Sequence, residues 1–102
     1  KGKTDEETEA LLEGALALQE AGAFAIVLES VLPKAARSIT ESLKIPTIGI
    51  GCGEKTCDGE IAVITDVIGS YPWFVPPFAT PRADVAGEIT KAVKGYLDAL
   101  GR

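Results

Sequence analysis

The spacing of apolar positions along the chain changes from helical to strand-like and back. Leu11, Leu12, Ala15, Leu16 and Leu18 recur at mostly three- and four-residue steps, which lays one apolar stripe along a helix. Thr4 followed by Glu7 has capping-box spacing, and Asp5, Glu6 and Glu7 put negative charge at the positive end of the helix dipole. Gly22 is a natural stop, so the pattern predicts a helix over about Asp5–Ala21. Ala23 to Leu28 is then an unbroken apolar run closed by Glu29. A strand with one wet face would alternate, so a continuous run predicts a strand buried on both sides, as in parallel α/β sheets. Pro33 suits the first turn of a second helix over about Lys34–Leu43, and Ile45-Pro46 ends it. Thr47–Ile50 reads as a second strand and Ile61–Ile64 as a third, ending at Thr65-Asp66. Gly69 to Pro81 holds Pro72, Pro76, Pro77 and Pro81, too many for a regular element, and predicts a long packed loop. Its aromatics Tyr71, Trp73, Phe74 and Phe78 are expected to cover a core rather than line a pocket. A last helix spans about Ala83–Leu100, with Ala86, Ile89, Val93, Tyr96 and Leu97 as its inner stripe. Buried strands alternating with amphipathic helices predict an α/β fold with a parallel sheet.

Composition narrows the function. The 102 residues, 46% hydrophobic and 25% charged, suffice for a single domain over 1–102 and leave no case for disorder. A formal net charge of −5 argues against nucleic acid or an anionic membrane as partner. No apolar run could span a bilayer and no signal-peptide pattern is present, which reads as a cytoplasmic protein. The sequence opens on Lys1 rather than Met, which predicts a longer reading frame. Cys52 and Cys57 are expected as reduced thiols. With no histidine, these two cysteines cannot complete a structural zinc site, and no Ser-His or Cys-His pair can form. A base in this chain must be a carboxylate, a lysine or a tyrosine.

Gly49-Ile50-Gly51-Cys52-Gly53-Glu54-Lys55-Thr56 resembles a phosphate-binding loop only in outline. Glu54 stands where such a loop needs glycine before the Lys-Thr pair, and Cys57-Asp58-Gly59-Glu60 leads on to a strand rather than a helix. The spacing fails G-x-G-x-x-G as well. Small residues here let the backbone pass close to a neighbour at the C-terminal end of a strand, and for Cys52 the role of a small apolar residue in a tight turn is favoured over that of a reactive thiol. Glu29 stands at the C-terminal mouth of a buried strand, where barrels and open α/β sheets do their chemistry. The alternative is a carboxylate that caps a helix or pairs in a salt bridge. Asp66 takes the equivalent place after the third strand, where capping or tethering a loop is the favoured role.

Four segments carry a resemblance. Gly22–Glu29, Ile45–Gly51, Cys57–Gly59 and Ala83–Ile89 look like the C-terminal part of ketopantoate hydroxymethyltransferases, in the family's order and at nearly its spacing. The resemblance covers essentially the whole chain. It implies a TIM (β/α)8 barrel, of which these residues would supply strands six to eight and the closing helix. It also implies hydroxymethyl transfer from 5,10-methylenetetrahydrofolate to 3-methyl-2-oxobutanoate, giving 2-dehydropantoate for pantothenate biosynthesis, with Mg2+ holding the keto acid. The glutamate that ends the strand-six motif is the family's catalytic base, here Glu29. The family's Mg2+ ligands and its substrate-carboxylate lysine come from earlier strands, so the metal ligands are expected outside this chain. The chain departs from the family's pattern at Ser30, often cysteine, at Glu60, commonly glutamine, and in a Gly53–Cys57 segment about one residue longer.

A barrel of this type takes about 250 residues. Three parallel strands with open edges would expose apolar faces and unpaired backbone groups. The expectation is therefore that the remainder of the barrel, or a complementary chain, covers the inner face, within a homo-oligomer. On its own the chain is expected to be inactive. Two other functions compete: a non-catalytic barrel fragment or assembly module, and a carbon–carbon lyase of the phosphoenolpyruvate mutase type.

Overall fold

The structure, a computed structural model, describes residues 1–71 and 73–101, which leaves Pro72 of the proline-rich segment outside the described residues. The chain divides into two compact units, Lys1–Ile61 and a second from Ala62 onward.

The helices and first two strands of the first unit form where the apolar pattern predicts them, but Leu16 and Leu18 of the stripe expected on the first helix are exposed. Helix α1, Asp5–Glu20, opens on the capping box: the Glu7 amide donates to Thr4 Oγ1 at 3.1 Å and the Thr4 amide to Glu7 Oε2 at 3.2 Å. It ends where Gly22 takes φ 101°, a conformation costly for any residue with a Cβ. Strand β1, Ile26–Glu29, leads to helix α2, Pro33–Ser42, in which Pro33 fills the first turn and loses no intrahelical bond. Strand β2 is Thr47–Ile50 and β3 is Gly59–Glu60. All pairing is parallel in the order β1-β2-β3, with Ile26 opposite Thr47, Glu29 opposite Ile50 and Ile48 opposite Gly59.

Both helices cover one face of this sheet. Ala15 of α1 and Ala35, Ala36 and Ile39 of α2 bury Ile26 and Leu28 of β1, with Val31 and Cys52 completing the core. Ile39 is wholly buried, which stabilises the unit by roughly 1.5–3 kcal/mol. Strand β1 therefore alternates rather than burying both sides: Val27 is 57% exposed and Glu29 is exposed, while Ile26 and Leu28 are covered. The face that carries Val27 and Glu29 is the one for which the sequence predicts a partner.

Polar groups fix the sheet's ends. Gln19 Oε1 accepts from the amides of Lys44, at 2.6 Å, and Ile45, at 3.3 Å, joining the end of α1 to the turn before β2. Asp58 Oδ2 accepts from the Thr47 amide at 2.8 Å, and the Asp58 amide donates to Thr47 Oγ1 at 3.3 Å. Thr47 is fully buried, and its hydroxyl lies 2.8 Å from Thr40 Oγ1, which donates to the Ala36 carbonyl at 2.8 Å. The Thr47 hydroxyl also lies 3.4 Å from Asp58 Oδ2, to which it can donate, so each of the two hydroxyls has one hydrogen and two acceptors in reach. A connected polar network results, from Asp58 through Thr47 and Thr40 to helix α2.

The expected third strand at Ile61–Ile64 does not form. The extended segment is displaced to Gly59–Glu60, its last bond runs from the Ile61 amide to the Gly49 carbonyl at 3.0 Å, and Ile64–Val67 forms the short helix α3. Among the described residues no strand pairs on the far side of β3, so Val63–Ile68 satisfies its backbone locally: the Val67 amide donates to Val63 at 3.1 Å and Ile68 to Ile64 at 3.0 Å. In the second unit α3 is tied to the start of helix α4, Val85–Ala99, by the bonds Arg82 to Val67, Val85 to Ile68 and Ala86 to Gly69. Asp84 caps α4 by accepting from the Gly87 amide at 3.0 Å. The stripe expected to face inward from α4 is uncovered, with Ile89, Val93, Tyr96 and Leu97 all exposed. The aromatics expected to cover a core are also exposed; the Tyr71 and Trp73 rings meet at a tilt, with 5.9 Å between ring centres, and Tyr71 lines an open cavity with Asp84, Gly87 and Lys91 instead of covering a core.

Candidate functional site

The C-terminal edge of the parallel sheet collects the chain's chemistry. Glu29 is the last residue of β1, and because strand side chains alternate it shares the helix-free face with Val27. Register extends that face laterally to Ile48 and Ile50 of β2, both half-buried. Glu29 is thus an exposed carboxylate beside an apolar surface, at the end of the sheet where α/β folds gather substrates. Among the described residues no side chain or backbone donor bonds its carboxylate, so it neither caps a helix nor pairs in a salt bridge there.

The two loops leaving this edge are tightly held. Ser30 takes φ 53°, a left-handed conformation uncommon for a residue with a side chain, and its amide donates to the Ile50 carbonyl at 2.8 Å. After β2 the chain turns through Gly51 at φ 69° and Gly53 at φ 88°. Thr56, buried, donates to the carbonyls of Cys52 at 3.2 Å or Gly53 at 3.1 Å and so closes the turn on itself. Cys52 is also buried, and its thiol donates to the Leu28 carbonyl at 3.1 Å, directly behind Glu29. Burial pushes the Cys52 thiol up from its ordinary range, with bonds to backbone groups opposing the shift and the neighbouring Cys57 adding to it. Both cysteines are free thiols.

Sequence reasoning placed Glu29 at this edge and Asp66 at the equivalent position of a third strand. Glu29 stands as expected. Asp66 does not: it sits half-buried within α3, in the second unit, because the strand that would have carried it is absent. Sequence reasoning gave Asp58 no role, although its carboxylate completes the start of β2. The signal was Thr47, a hydroxyl at the head of an apolar strand, which needs a polar partner when buried. Cys52, expected as a small residue in a tight turn in preference to a reactive thiol, does sit in that turn and also reaches across to β1. Among the described residues no group of three or more His, Cys, Asp or Glu could hold a metal ion, and no helix is long and apolar enough to cross a membrane.

Comparison with known proteins agrees across the chain. The family model for ketopantoate hydroxymethyltransferase matches residues 1–102. A 3-methyl-2-oxobutanoate hydroxymethyltransferase of Cenarchaeum symbiosum is 51% identical over 96 residues, 94% of this chain and 36% of that protein. A protein of the same name from Dehalococcoides mccartyi is 48% identical over 102 residues, 100% of this chain and 36% of its own length. Another, from Pseudothermotoga lettingae, is 50% identical over 97 residues, covering 95% and 36%. The chain spans about a third of the length of the curated relatives it matches. With a helix-backed parallel sheet and a family match over every residue, this chain belongs to the ketopantoate hydroxymethyltransferase family.

Proposed function

We propose that this chain supplies strands six to eight of a (β/α)8-barrel 3-methyl-2-oxobutanoate hydroxymethyltransferase, with Glu29 as its catalytic base. In this reading β1, β2 and β3 are those strands, and the single domain they belong to is the complete barrel. The observation that carries the proposal is the position of Glu29: at the C-terminal end of a parallel strand, on the face opposite the helices, beside Val27, Ile48 and Ile50. In a closed barrel that face is the interior, and its C-terminal end is where catalytic side chains project. The exposed stripe of the strand is then the surface that the other barrel strands cover.

The substrate's C3 proton, beside the ketone, is weakly acidic, and a fixed carboxylate is suited to remove it. Glu29 takes this proton, and the electron pair left behind forms the enolate. The enolate carbon bonds to the one-carbon unit of 5,10-methylenetetrahydrofolate, both C–N bonds of that unit break, and water supplies the hydroxyl of the product, 2-dehydropantoate; tetrahydrofolate leaves with two N–H protons, one matching the C3 proton and one from the water. Val27, Ile48 and Ile50 give the base an apolar flank that limits water around it once the barrel closes. The resemblance puts the ligands of its Mg2+ on strands outside this chain, and proton removal by Glu29 is the one chemical step we assign to these residues. The test is product formation: the complete polypeptide carrying this chain should make 2-dehydropantoate from 3-methyl-2-oxobutanoate and 5,10-methylenetetrahydrofolate. A pure, folded protein that makes none removes the functional reading.

A further inference from the structure

The loop after β2 contains two thiols that the proposed reaction does not use. A Cβ built on Gly49 would lie 2.9 Å from Cys57 Sγ, 3.4 Å from Cys57 Cβ and 3.5 Å from Cys52 Cβ. The two cysteine Cβ atoms are therefore no farther apart than the last two distances added together. A disulfide holds its Cβ atoms about 3.5–4.5 Å apart, so whatever part of that bound lies beyond this range is closed by movement of the loop. Gly49 leaves the space between the thiols open: any side chain there would collide with Cys57. The two thiols differ in access. Cys57 is half-buried, with Thr56 Oγ1 at 3.6 Å from its sulfur, whereas Cys52 is buried and gives its proton to the Leu28 carbonyl.

We propose that Cys52 and Cys57 form a redox-sensitive dithiol whose oxidation by a peroxide releases the end of strand β1 that carries Glu29. Cys57, the accessible thiol, is attacked first: its thiolate displaces hydroxide from the peroxide and becomes a sulfenic acid. The Cys52 sulfur then attacks the Cys57 sulfur, water leaves, and a disulfide remains. In sum, two thiols and one hydrogen peroxide give one disulfide and two waters. The disulfide has no S–H, so the Leu28 carbonyl loses that donor. The loop that shares this sheet edge with Glu29 is drawn towards Cys57 at the same time. Thiol reduction restores the bond. The consequence for activity rests on the role proposed for Glu29; the chemistry of the pair does not.

The test uses the complete polypeptide carrying this chain. Trypsin cuts after Lys44, Lys55 and Arg82, so Cys52 and Cys57 fall in separate peptides, Ile45–Lys55 and Thr56–Arg82. After hydrogen peroxide and alkylation of remaining thiols, a non-reducing digest should contain these two peptides linked, and dithiothreitol should separate them. Amide hydrogen exchange over Ile26–Val31 should speed up roughly fivefold on oxidation, as expected for one lost hydrogen bond, and recover on reduction. Hydroxymethyltransferase activity should fall with the same time course in wild type and persist in Cys57→Ser, which leaves Cys52 and its bond to Leu28 in place. Absence of the linked peptide, or a linked peptide with unchanged exchange, overturns the proposal whatever the activity. An enzyme inactive towards 3-methyl-2-oxobutanoate that still gives both signals overturns the functional reading and leaves the dithiol standing.

Discussion

Replacing Asp58 with alanine should weaken the sheet more than any other change to an exposed side chain. The carboxylate accepts from the Thr47 amide at 2.8 Å, and Thr47 has no solvent-accessible surface. Beyond Ile48 the amides of β2 belong to the ladder, but at its first residue the Asp58 carboxylate stands in for a strand neighbour. Hydrogen bonds to charged groups contribute about 1.5–3 kcal/mol, and a buried donor left without a partner costs about 1–3 kcal/mol. Asp58→Ala should therefore lower stability by about 2 kcal/mol. Asp58→Asn keeps an oxygen that can accept from the amide and replaces a charged bond by a neutral one, so its cost should stay near about 1 kcal/mol. Urea unfolding of the complete protein, followed by far-UV circular dichroism, measures both. The midpoint should fall in that order with the slope m unchanged. Equal losses for Asn and Ala would overturn this assignment, because the oxygen retained by Asn would then be contributing nothing. A loss below about 0.5 kcal/mol for Ala would overturn it too, by placing Asp58 among ordinary surface residues.

Two further outcomes follow from the same structure. Ile39 is fully buried between α2 and the sheet, so Ile39→Ala should cost about 2–5 kcal/mol in urea unfolding; a cost under about 1 kcal/mol would mean that this core is not packed as described. Burial holds the Cys52 thiol protonated to a higher pH than a free cysteine, so iodoacetamide near about pH 8 should label Cys57 first, with Cys52 following only as the pH rises through its raised value. Equal labelling of the two thiols at that pH, read by peptide mass, would be inconsistent with that order.

The elements set by local chemistry were legible in the sequence. Thr4, Glu7 and Gly22 fix both ends of α1, and Pro33 and Pro46 bracket α2 without help from the rest of the fold. What depends on distant partners was not legible. The apolar run Ala23–Leu28 announces a strand buried on both faces, yet in this chain only Ile26 and Leu28 are covered, while Phe24 is 90% exposed. Ile61–Ile64 carries strand-forming residues but has no neighbour beyond β3, among the described residues, to accept its backbone bonds, so it gives way to α3. Asp66 moved with it. The position of Glu29 at the end of β1 was legible because a charge closing an apolar run is visible locally. The links from Cys52 to Leu28 and from Asp58 to Thr47 join residues 24 and 11 positions apart, and no periodic pattern marks such pairs.

If Glu29 removes the C3 proton of 3-methyl-2-oxobutanoate, isotope exchange will show it without requiring turnover. In deuterated water the complete enzyme should exchange that proton, followed by proton NMR of the keto acid. Glu29→Gln preserves the shape of the side chain and removes its basicity, on a residue whose carboxylate makes no hydrogen bond among the described residues. The expected exchange rate is about 10²–10⁴-fold lower in Glu29→Gln, with an unchanged urea midpoint. Exchange in Glu29→Gln within about threefold of wild type, the fold intact, would take the role of base away from Glu29.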